Sequence, residues 1–273
     1  MTVQPWHSQD AHVVRLDWGP GAASALTRYA VVSGASVTAV VVDVLSFTTS
    51  VSVAADAGTV VHPYPWDDDS AGAFAKGLGA TLAAPRSRAR AEGAAVPGRV
   101  SLSPGSIRAA GDLRDLVLPS PNGSTTTRVL ADSGAEVVAA SLRNRTAVAR
   151  WVADRMRAAG RRRPVVVVVP AGERWPDGSL RPAVEDLWGA GAFAAALTDQ
   201  LEHQAGPLLL SPEAAAARAA WLAVEHEVAA SLRASASGRE LIQQGWPDDV
   251  EIAAELDTST AVPVLCDGAY RPS

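Results

Sequence analysis

The sequence predicts a three-layer α/β/α protein, in which a mainly parallel central sheet, allowing for some antiparallel strands, lies between two layers of helices. Short runs of β-branched residues alternate with alanine-rich helical stretches along almost the whole chain, which is the pattern of repeated strand–helix units. The two strongest runs, residues 37–44 and 164–170, are almost continuously apolar, as expected of strands that are buried on both faces.

The first half of the chain alternates strands and helices. The strand at 37–44 is followed by a helix at 48–57, which ends at Gly58 because glycine readily adopts the backbone conformation that closes a helix. The later predictions in this half are a strand near 59–63, a helix that starts at the acidic residues Asp67, Asp68 and Asp69, a strand at 115–118, a helix from about 125, a strand at 136–140 and a helix at 143–159.

The second half begins with the five consecutive valines of the strand at 164–170. The predictions that follow it are a turn-rich loop at 171–182, a long helix at 184–201, helical stretches at 212–235 and roughly 239–256, and a last strand near 262–266. No linker interrupts the alternation, so residues 1–273 are expected to form a single domain. The strands at 37–44 and 164–170 could each belong to one of two intertwined halves of this domain. The segment near 86–105, rich in Arg, Ala, Pro and Gly, would then cross between the halves.

Composition excludes several classes of protein. The chain is 48% hydrophobic and 19% charged, which excludes an intrinsically disordered protein, and its 29 acidic against 24 basic residues do not suit a nucleic-acid binder. The start of the sequence does not resemble a signal peptide, and no apolar stretch reaches the roughly 18 residues that cross a membrane. We therefore expect a cytoplasmic protein without membrane or nucleic-acid partners. A homo-oligomer is a generic expectation for a compact chain of this size.

The first candidate loop follows the strand at 37–44. Asp43 ends this apolar strand, and burying a carboxylate costs several kcal/mol unless it is paired, so Asp43 is predicted to be functional. Ser46, Thr48 and Thr49 lead into the next helix. Their hydroxyls either cap that helix or contact an anionic ligand.

The second candidate loop lies between the strand at 115–118 and the next helix. Two prolines and the pair Asn122-Gly123 make a sharp turn, after which Ser124 and Thr125 open a run of four hydroxyl residues. Free N–H groups at the start of a helix favour phosphate or carboxylate. The alternative is an ordinary capped turn.

The third candidate loop precedes the helix at 184–201. Glu185 and Asp186 lie in or near its first turn, where acidic side chains complement the helix dipole by roughly 0.3–1 kcal/mol each. The functional alternative is ligation of Mg²⁺, which needs one or two carboxylates together with water and substrate oxygens. The presence of Asp43 and of an anion-binding loop favours that alternative.

Two familiar phosphatase signatures do not fit the sequence. The aspartate-nucleophile pattern requires a second acid where Leu45 stands. A cysteine-based phosphatase requires an arginine six residues after the nucleophile, whereas Arg271 lies five residues after Cys266, the single cysteine. Cys266 is expected to be a small core residue of the last strand.

The motifs in these loops resemble the 2-phosphosulfolactate phosphatase family, the ComB-like proteins of coenzyme M biosynthesis. The similar segments are Asp43-Val44-Leu45-Ser46 with Thr48-Thr49, Ser120-Pro121-Asn122-Gly123-Ser124-Thr125, Ser141-Leu142-Arg143-Asn144, Ala171-Gly172 with Glu185-Asp186, and the C-terminal stretch at 237–265. The resemblance spans roughly residues 37–264, and it depends on the order and spacing of several motifs rather than on any one of them.

The resemblance implies an α/β/α fold, bound Mg²⁺ and hydrolysis of the phosphate ester of a small sulfonated hydroxy acid. From these loops we expect Asp43, Glu185 and Asp186 to hold the metal, directly or through water, and Asp43 to be the catalytic residue. The substrate-binding residues would be Ser46, Thr48, Thr49, Asn122, Gly123, Ser124, Thr125 and Asn144. Asp248, Asp249 and Asp257 are weaker candidates for acids behind the metal ligands. The sequence leaves open whether Asp43 forms a covalent phosphoenzyme.

The chain departs from the family pattern at two places. Ser46 stands where family members usually have arginine, and residues 83–92 and 101–106 replace the usual Gly-Glu-Arg segment and Gly-Asn-Ser-Pro turn. A serine cannot copy the forked grip of arginine on an anion. Either Arg86, Arg88, Arg108 or Arg143 supplies that grip, or the substrate is a different small phospho-acid. The other alternative is a non-catalytic anion-binding member of the same fold.

Overall fold

The computed structural model describes residues 7–65, 68–86, 100–160, 164–201 and 210–272. Within these residues, nine strands form one sheet in the order β1-β7-β2-β6-β10-β11-β3-β5-β4, and β8 and β9 form a small separate hairpin. The strands are β1 (Val14–Leu16), β2 (Val37–Val42), β3 (Val60–Tyr64), β4 (Thr81–Leu82), β5 (Asp115–Pro119), β6 (Glu136–Ala140), β7 (Val165–Pro170), β8 (Glu173–Arg174), β9 (Leu180–Arg181), β10 (Pro263–Cys266) and β11 (Ala269–Pro272).

The sheet consists of two parallel blocks that run in opposite directions. One block contains β1, β7, β2 and β6, and the other contains β3, β5 and β4. The β10–β11 hairpin joins them, because β10 pairs antiparallel with β6 and β11 pairs antiparallel with β3. The predicted mainly parallel sheet with some antiparallel strands is therefore confirmed.

Helices cover both faces of the sheet, which confirms the three-layer class. They are α1 (Gly19–Val32), α2 (Phe47–Asp56), α3 (Asp69–Leu78), α4 (Pro104–Ala109), α5 (Gly123–Asp132), α6 (Arg145–Ala158), α7 (Val184–Leu201), α8 (Pro212–Leu222), a 3₁₀ turn (Glu225–Glu227), α9 (Val228–Ala234), α10 (Ala236–Gln243) and α11 (Pro247–Ala253). Side chains of a strand alternate between faces, so Val40 and Val42 pack with α6, α7 and α8, whereas Ala39 and Val41 pack with α1, α2 and α5.

The second half of the chain contains more breaks than the sequence predicted. The helical stretch at 212–235 is interrupted after Leu222, and the stretch at 239–256 is interrupted at Gly245, whose φ of +88° is left-handed. The predicted last strand is the first arm of a hairpin that turns at Asp267 and Gly268, both with positive φ. Cys266 is exposed at the end of β10, so its predicted core position is wrong.

Other differences lie at element boundaries and in the first half. The sequence missed β1, α1, β4 and α4, which are short or lack a clear apolar period. Asp67, Arg88 and most of the predicted crossing segment, at 87–99, lie outside the described residues. The single domain and the two intertwined halves stay predictions. None of the helices in the described part of the chain is long and apolar enough to cross a membrane.

Helix α7 packs unusually closely on its neighbours because it carries two glycines. A Cβ on Gly189 would lie 2.6 Å from Val44 Cγ2, and a Cβ on Gly191 would lie 2.0 Å from the carbonyl oxygen of Ala217. The first contact brings α7 against the end of β2. Its first turn, which contains Glu185 and Asp186, is thereby placed beside the loop that follows β2.

Gly191→Ala should destabilise the fold, because the added methyl group meets the backbone of α8 rather than a movable side chain. We expect a loss of about 1–3 kcal/mol, which lowers the melting temperature by roughly 2–4 °C for each kcal/mol. Gly77→Ala is the control, since Gly77 lies in α3 with open space around it and alanine should stabilise a helix by about 0.5–1 kcal/mol. Equal melting temperatures for the two variants would contradict this packing.

Candidate active site

Four carboxylates from three elements gather at the end of β2. Asp43 follows β2, Glu173 belongs to β8, and Glu185 and Asp186 lie in the first turn of α7. Burial, and then the charges of Asp43 and Glu185, raise the pKa of both Glu173 and Asp186. Because β2 and β7 are adjacent and parallel, the loops after both strands open at the same edge of the sheet.

Asp43 is buried, as are the other two acids that the sequence singles out, Glu185 and Asp186. Its side chain is 6% exposed, and its Oδ1 accepts a hydrogen bond of 3.0 Å from the backbone N–H of Phe47. Burial raises the pKa of Asp43 to about 6, while the N–H groups of Phe47 and Gly123 and the charge of Arg86 oppose that rise. Asp43 is thus a buried carboxylate whose ionised form is only partly stabilised by its neighbours.

Gly123 brings the start of α5 directly against Asp43. A Cβ at this position would lie 2.7 Å from Asp43 Oδ2 and 2.3 Å from Phe47 Cδ1, so no other residue fits without displacement. This contact does not arise from two parallel strands that end at the same edge of the sheet, because β5 belongs to the block that runs opposite to β2. Helix α5 reaches across instead, packing against α1 and contacting β2 and β6.

Asp186 ties together the two loops beside Asp43. Its Oδ1 accepts a hydrogen bond of 2.7 Å from the N–H of Val44, and its Oδ2 accepts one of 2.9 Å from the N–H of Gly172. Burial, and then the charges of Asp43 and Glu185, raise the pKa of Asp186 well above its usual value. Since both oxygens already accept backbone N–H groups, Asp186 has a clear role in holding the site together.

Glu173 is a site residue that sequence reasoning missed. Its Oε2 accepts a hydrogen bond of 2.8 Å from Asn122 Nδ2, which links the β8–β9 hairpin to the start of α5. Burial, and then the charge of Asp43, raise the pKa of Glu173 to about 7. The pair Asp177-Gly178 between β8 and β9 is a hairpin signal that could have shown Glu173 to be placed by a defined turn.

Most of the predicted hydroxyl ligands bind the backbone in the structure. Thr48 Oγ1 donates to the carbonyl of Asp43 at 2.8 Å, Thr49 Oγ1 donates to the carbonyl of Val44 at 2.8 Å, and Ser124 Oγ donates to the carbonyl of Leu118 at 2.9 Å. These bonds shape the two loops. Contact of these three residues with substrate stays a prediction, as it does for the half-buried Thr125 at the start of α5.

Asn144 is brought to the end of β6, where its side chain closes a loop. Its Oδ1 accepts a hydrogen bond of 2.8 Å from the N–H of Ser141, and its Nδ2 donates to the carbonyls of Ala139 and Ala261 at 3.3 and 3.1 Å. The structure does not connect it to the carboxylates around Asp43 by any hydrogen bond among the described residues. Substrate binding by Asn144 stays an untested prediction.

The structure distinguishes among three of the four arginines that the sequence leaves as alternatives. Arg86 reaches the loop after β2, where its Nη2 donates to Ser46 Oγ at 2.6 Å. Arg143 binds Asp56 and Glu255, and Arg108 also binds Glu255, so both belong to a separate ion-pair network. Arg88 lies outside the described residues.

The three weaker acidic candidates occupy different places. Asp249 is buried in α11 and pairs with Arg86 at 2.8 Å. Asp257 instead accepts from Arg145 and from the N–H of Thr146 at the start of α6. Asp248 is exposed in the first turn of α11. Asp249 is therefore the one of the three that the structure links to the loop around Asp43.

The carboxylates form an oxygen-rich, negatively charged group that could hold a hard cation. Within the described residues, no group of three or more His, Cys, Asp or Glu side chains has the arrangement of a metal site. Two carboxylates with water and substrate oxygens are nevertheless enough for Mg²⁺. Glu185 fits that role better than Asp186, because both oxygens of Asp186 accept backbone N–H groups. Asp43 stays a candidate ligand, with its Oδ1 bonded to the N–H of Phe47.

Comparison with known proteins agrees with the resemblance found in the sequence. A family model described as 2-phosphosulpholactate phosphatase matches residues 27–268 of the 273. The match includes every candidate site residue named above, and it confirms the predicted resemblance. No curated protein matches the chain.

Glu173→Gln should stabilise the protein at high pH relative to the wild type. The folded state raises the pKa of Glu173 from 4.5 to about 7, so the stability that this group contributes is full below pH 4.5 and is lost as the pH rises through about 7. Glutamine does not ionise and can still accept from Asn122. The difference in melting temperature, variant minus wild type, should therefore grow between pH 5 and pH 8 in buffer containing EDTA.

Glu251→Gln is the matched control for this pH series. Glu251 is a surface carboxyl whose pKa is lowered by its hydrogen bond with Arg233, so it stays ionised throughout pH 5–8. Its melting-temperature difference from wild type should not change across that range. If the melting-temperature difference for Glu173→Gln is also constant across that range, the folded state does not raise the pKa of Glu173.

Proposed function

The chain belongs to the 2-phosphosulpholactate phosphatase family, and from that premise we propose that it hydrolyses the phosphate ester of a small anionic hydroxy acid similar to 2-phosphosulfolactate, with Mg²⁺ as cofactor. The observation that carries the proposal is the contact between Asp43 and the start of α5. A Cβ on Gly123 would lie 2.7 Å from Asp43 Oδ2, so a buried carboxylate and the start of a helix lie in direct contact.

This contact combines the two kinds of group that phosphoryl transfer uses. The N–H groups in the first turn of α5 carry the positive end of the helix dipole and would stabilise the phosphoryl oxygens. Asp43 and Glu185 would hold Mg²⁺, which when bound supplies a Lewis acid at the phosphate. Catalysis of this kind depends mainly on positioning and on electrostatic stabilisation.

The chain's own residues keep this arrangement in place. Asn122 donates to Glu173 and so orients the turn before α5, while Asp186 fixes the loops after β2 and β7 through two backbone N–H groups. Thr48 fixes the backbone of Asp43 itself, because its hydroxyl accepts from the N–H of Asp43 at 3.0 Å and donates to the carbonyl of the same residue. The orientation of the Asp43 carboxylate is thus determined by the fold before any ligand binds.

Asp43→Asn should abolish phosphate release without unfolding the protein. Wild-type chain is incubated with 2-phosphosulfolactate, 2-phospholactate and phosphoglycolate, each with Mg²⁺ and with EDTA, and released phosphate is measured. We expect Mg²⁺-dependent turnover by the wild type and a loss of at least about 100-fold in the variant. The melting temperature should stay within a few degrees of wild type or rise, since the variant no longer buries this charge.

Two outcomes would contradict the proposal. Near-normal turnover by Asp43→Asn would show that Asp43 is structural. No turnover of any of the three esters by the wild type, together with retained binding of phosphate, would favour the alternative of a non-catalytic anion-binding protein, which the serine at position 46 supports.

A further inference from the structure

Arg86 brings a positive charge to the loop after β2 from a distant part of the chain. Its Nη2 donates to Ser46 Oγ at 2.6 Å and to the carbonyl of Leu102 at 3.3 Å. Ser46 lies three residues after Asp43, so the guanidinium reaches the same short loop as that carboxylate. The structure shows no hydrogen bond between Arg86 and Asp43 among the described residues.

A buried carboxylate holds the guanidinium in one orientation. Asp249 Oδ2 accepts from Arg86 Nε at 3.1 Å and from Nη2 at 2.8 Å. The other oxygen of Asp249 accepts from Ser103 Oγ at 2.5 Å, and the Asp249 side chain is 1% exposed. A carboxylate with both oxygens occupied and no solvent access fixes the guanidinium plane.

Arg86 retains a donor that no group among the described residues accepts. Its Nη1 donates no hydrogen bond in those ranges, and 15% of its side chain is exposed to solvent. Arg143 provides the contrast, because its Nε, Nη1 and Nη2 donate to Glu255, Ser52 and Asp56. An arginine that only supports the fold would resemble Arg143 rather than Arg86.

We propose that Arg86 is the specificity-determining residue that binds the second anionic group of the substrate, a carboxylate or sulfonate, while the phosphate ester lies at Asp43 and the start of α5. The proposal rests on the proposed function. The N–H donors of α5 reach Asp43 through Gly123, whereas Arg86 reaches the loop from a region that includes Asp249 of α11. A substrate with two separate anionic groups would use both sets of donors, and Asp249 and Ser46 would act as positioning residues for Arg86.

The test compares two esters that differ in one group. 2-Phospholactate carries a carboxylate where isopropyl phosphate carries a methyl group. Arg86→Gln should lower kcat/KM for 2-phospholactate at least 10-fold, mainly through KM, which is the size expected when about one charge-assisted hydrogen bond is lost. Any effect of the lost charge on Asp43 is common to both esters, so the ratio of kcat/KM for 2-phospholactate to kcat/KM for isopropyl phosphate should fall about 10-fold.

Two further variants separate binding from folding. Arg86→Gln leaves Asp249 buried without its cation, so the double variant Arg86→Gln/Asp249→Asn, which keeps an uncharged pair, should show the same substrate pattern with a melting temperature closer to wild type. Arg233→Gln is the matched control, since Arg233 pairs with Glu251 on the surface and should leave both esters unaffected.

Direct binding keeps the proposal testable if the wild type hydrolyses neither ester. The dissociation constant of 3-sulfolactate is measured by calorimetry for wild type, Arg86→Gln and Arg233→Gln. Weaker binding by Arg86→Gln alone would support the role of Arg86 even though the proposed function had failed. Three results would each overturn the proposal. Arg86→Gln could lower kcat/KM equally for both esters, or leave both the affinity for 3-sulfolactate and the preference between the esters unchanged. The wild type could also neither bind 3-sulfolactate nor hydrolyse either ester.

Discussion

The burial of several neighbouring carboxylates is the constraint on which this site depends. Burial raises the pKa values of Asp43, Glu173 and Asp186, and the neighbouring negative charges, including that of Glu185, add to each rise. Such a group is unfavourable for the isolated protein, because each ionised carboxylate loses hydration without gaining a matching cation. Buried, strongly perturbed acids of this kind cluster at functional sites, where a ligand or metal supplies the missing charge.

The fold holds these acids together through backbone contacts rather than through ion pairs. Gly189 lets α7 approach the end of β2, and Asp186 then accepts N–H groups from both neighbouring loops. Gly123 lets the start of α5 approach Asp43 from the other block of the sheet. Two of these contacts require a glycine, and the third requires a carboxylate that accepts two backbone N–H groups. The free energy gained by packing elsewhere in the fold offsets the cost of holding the buried carboxylates together.

The sequence could predict the parts of the site that depend on local pattern. Asp43 is recognisable because a charged residue ends an otherwise apolar strand, and Asn122-Gly123 is recognisable as a turn before a helix. Helix α7 was predicted with its observed bounds, Val184–Leu201, because a proline precedes it and acids lie in its first turn.

The remaining parts depend on contacts between distant segments. Glu173 lies in a strand of two residues, which is too short to show a period of its own. The preference for Arg86 over Arg108 and Arg143 requires knowing that Asp249 of α11 packs beside Arg86, which no local pattern encodes. The opposite directions of the two sheet blocks likewise follow from the C-terminal hairpin, whose second strand the sequence did not reveal.

The most direct measurement of the central claim is a crystal structure of the chain grown with Mn²⁺, in place of Mg²⁺, and orthophosphate. We expect anomalous scattering to locate the ion within bonding distance of Asp43 and Glu185, with phosphate against the N–H groups at the start of α5. An ion and phosphate bound at a different part of the molecule, with the carboxylates around Asp43 left without either, would contradict the account.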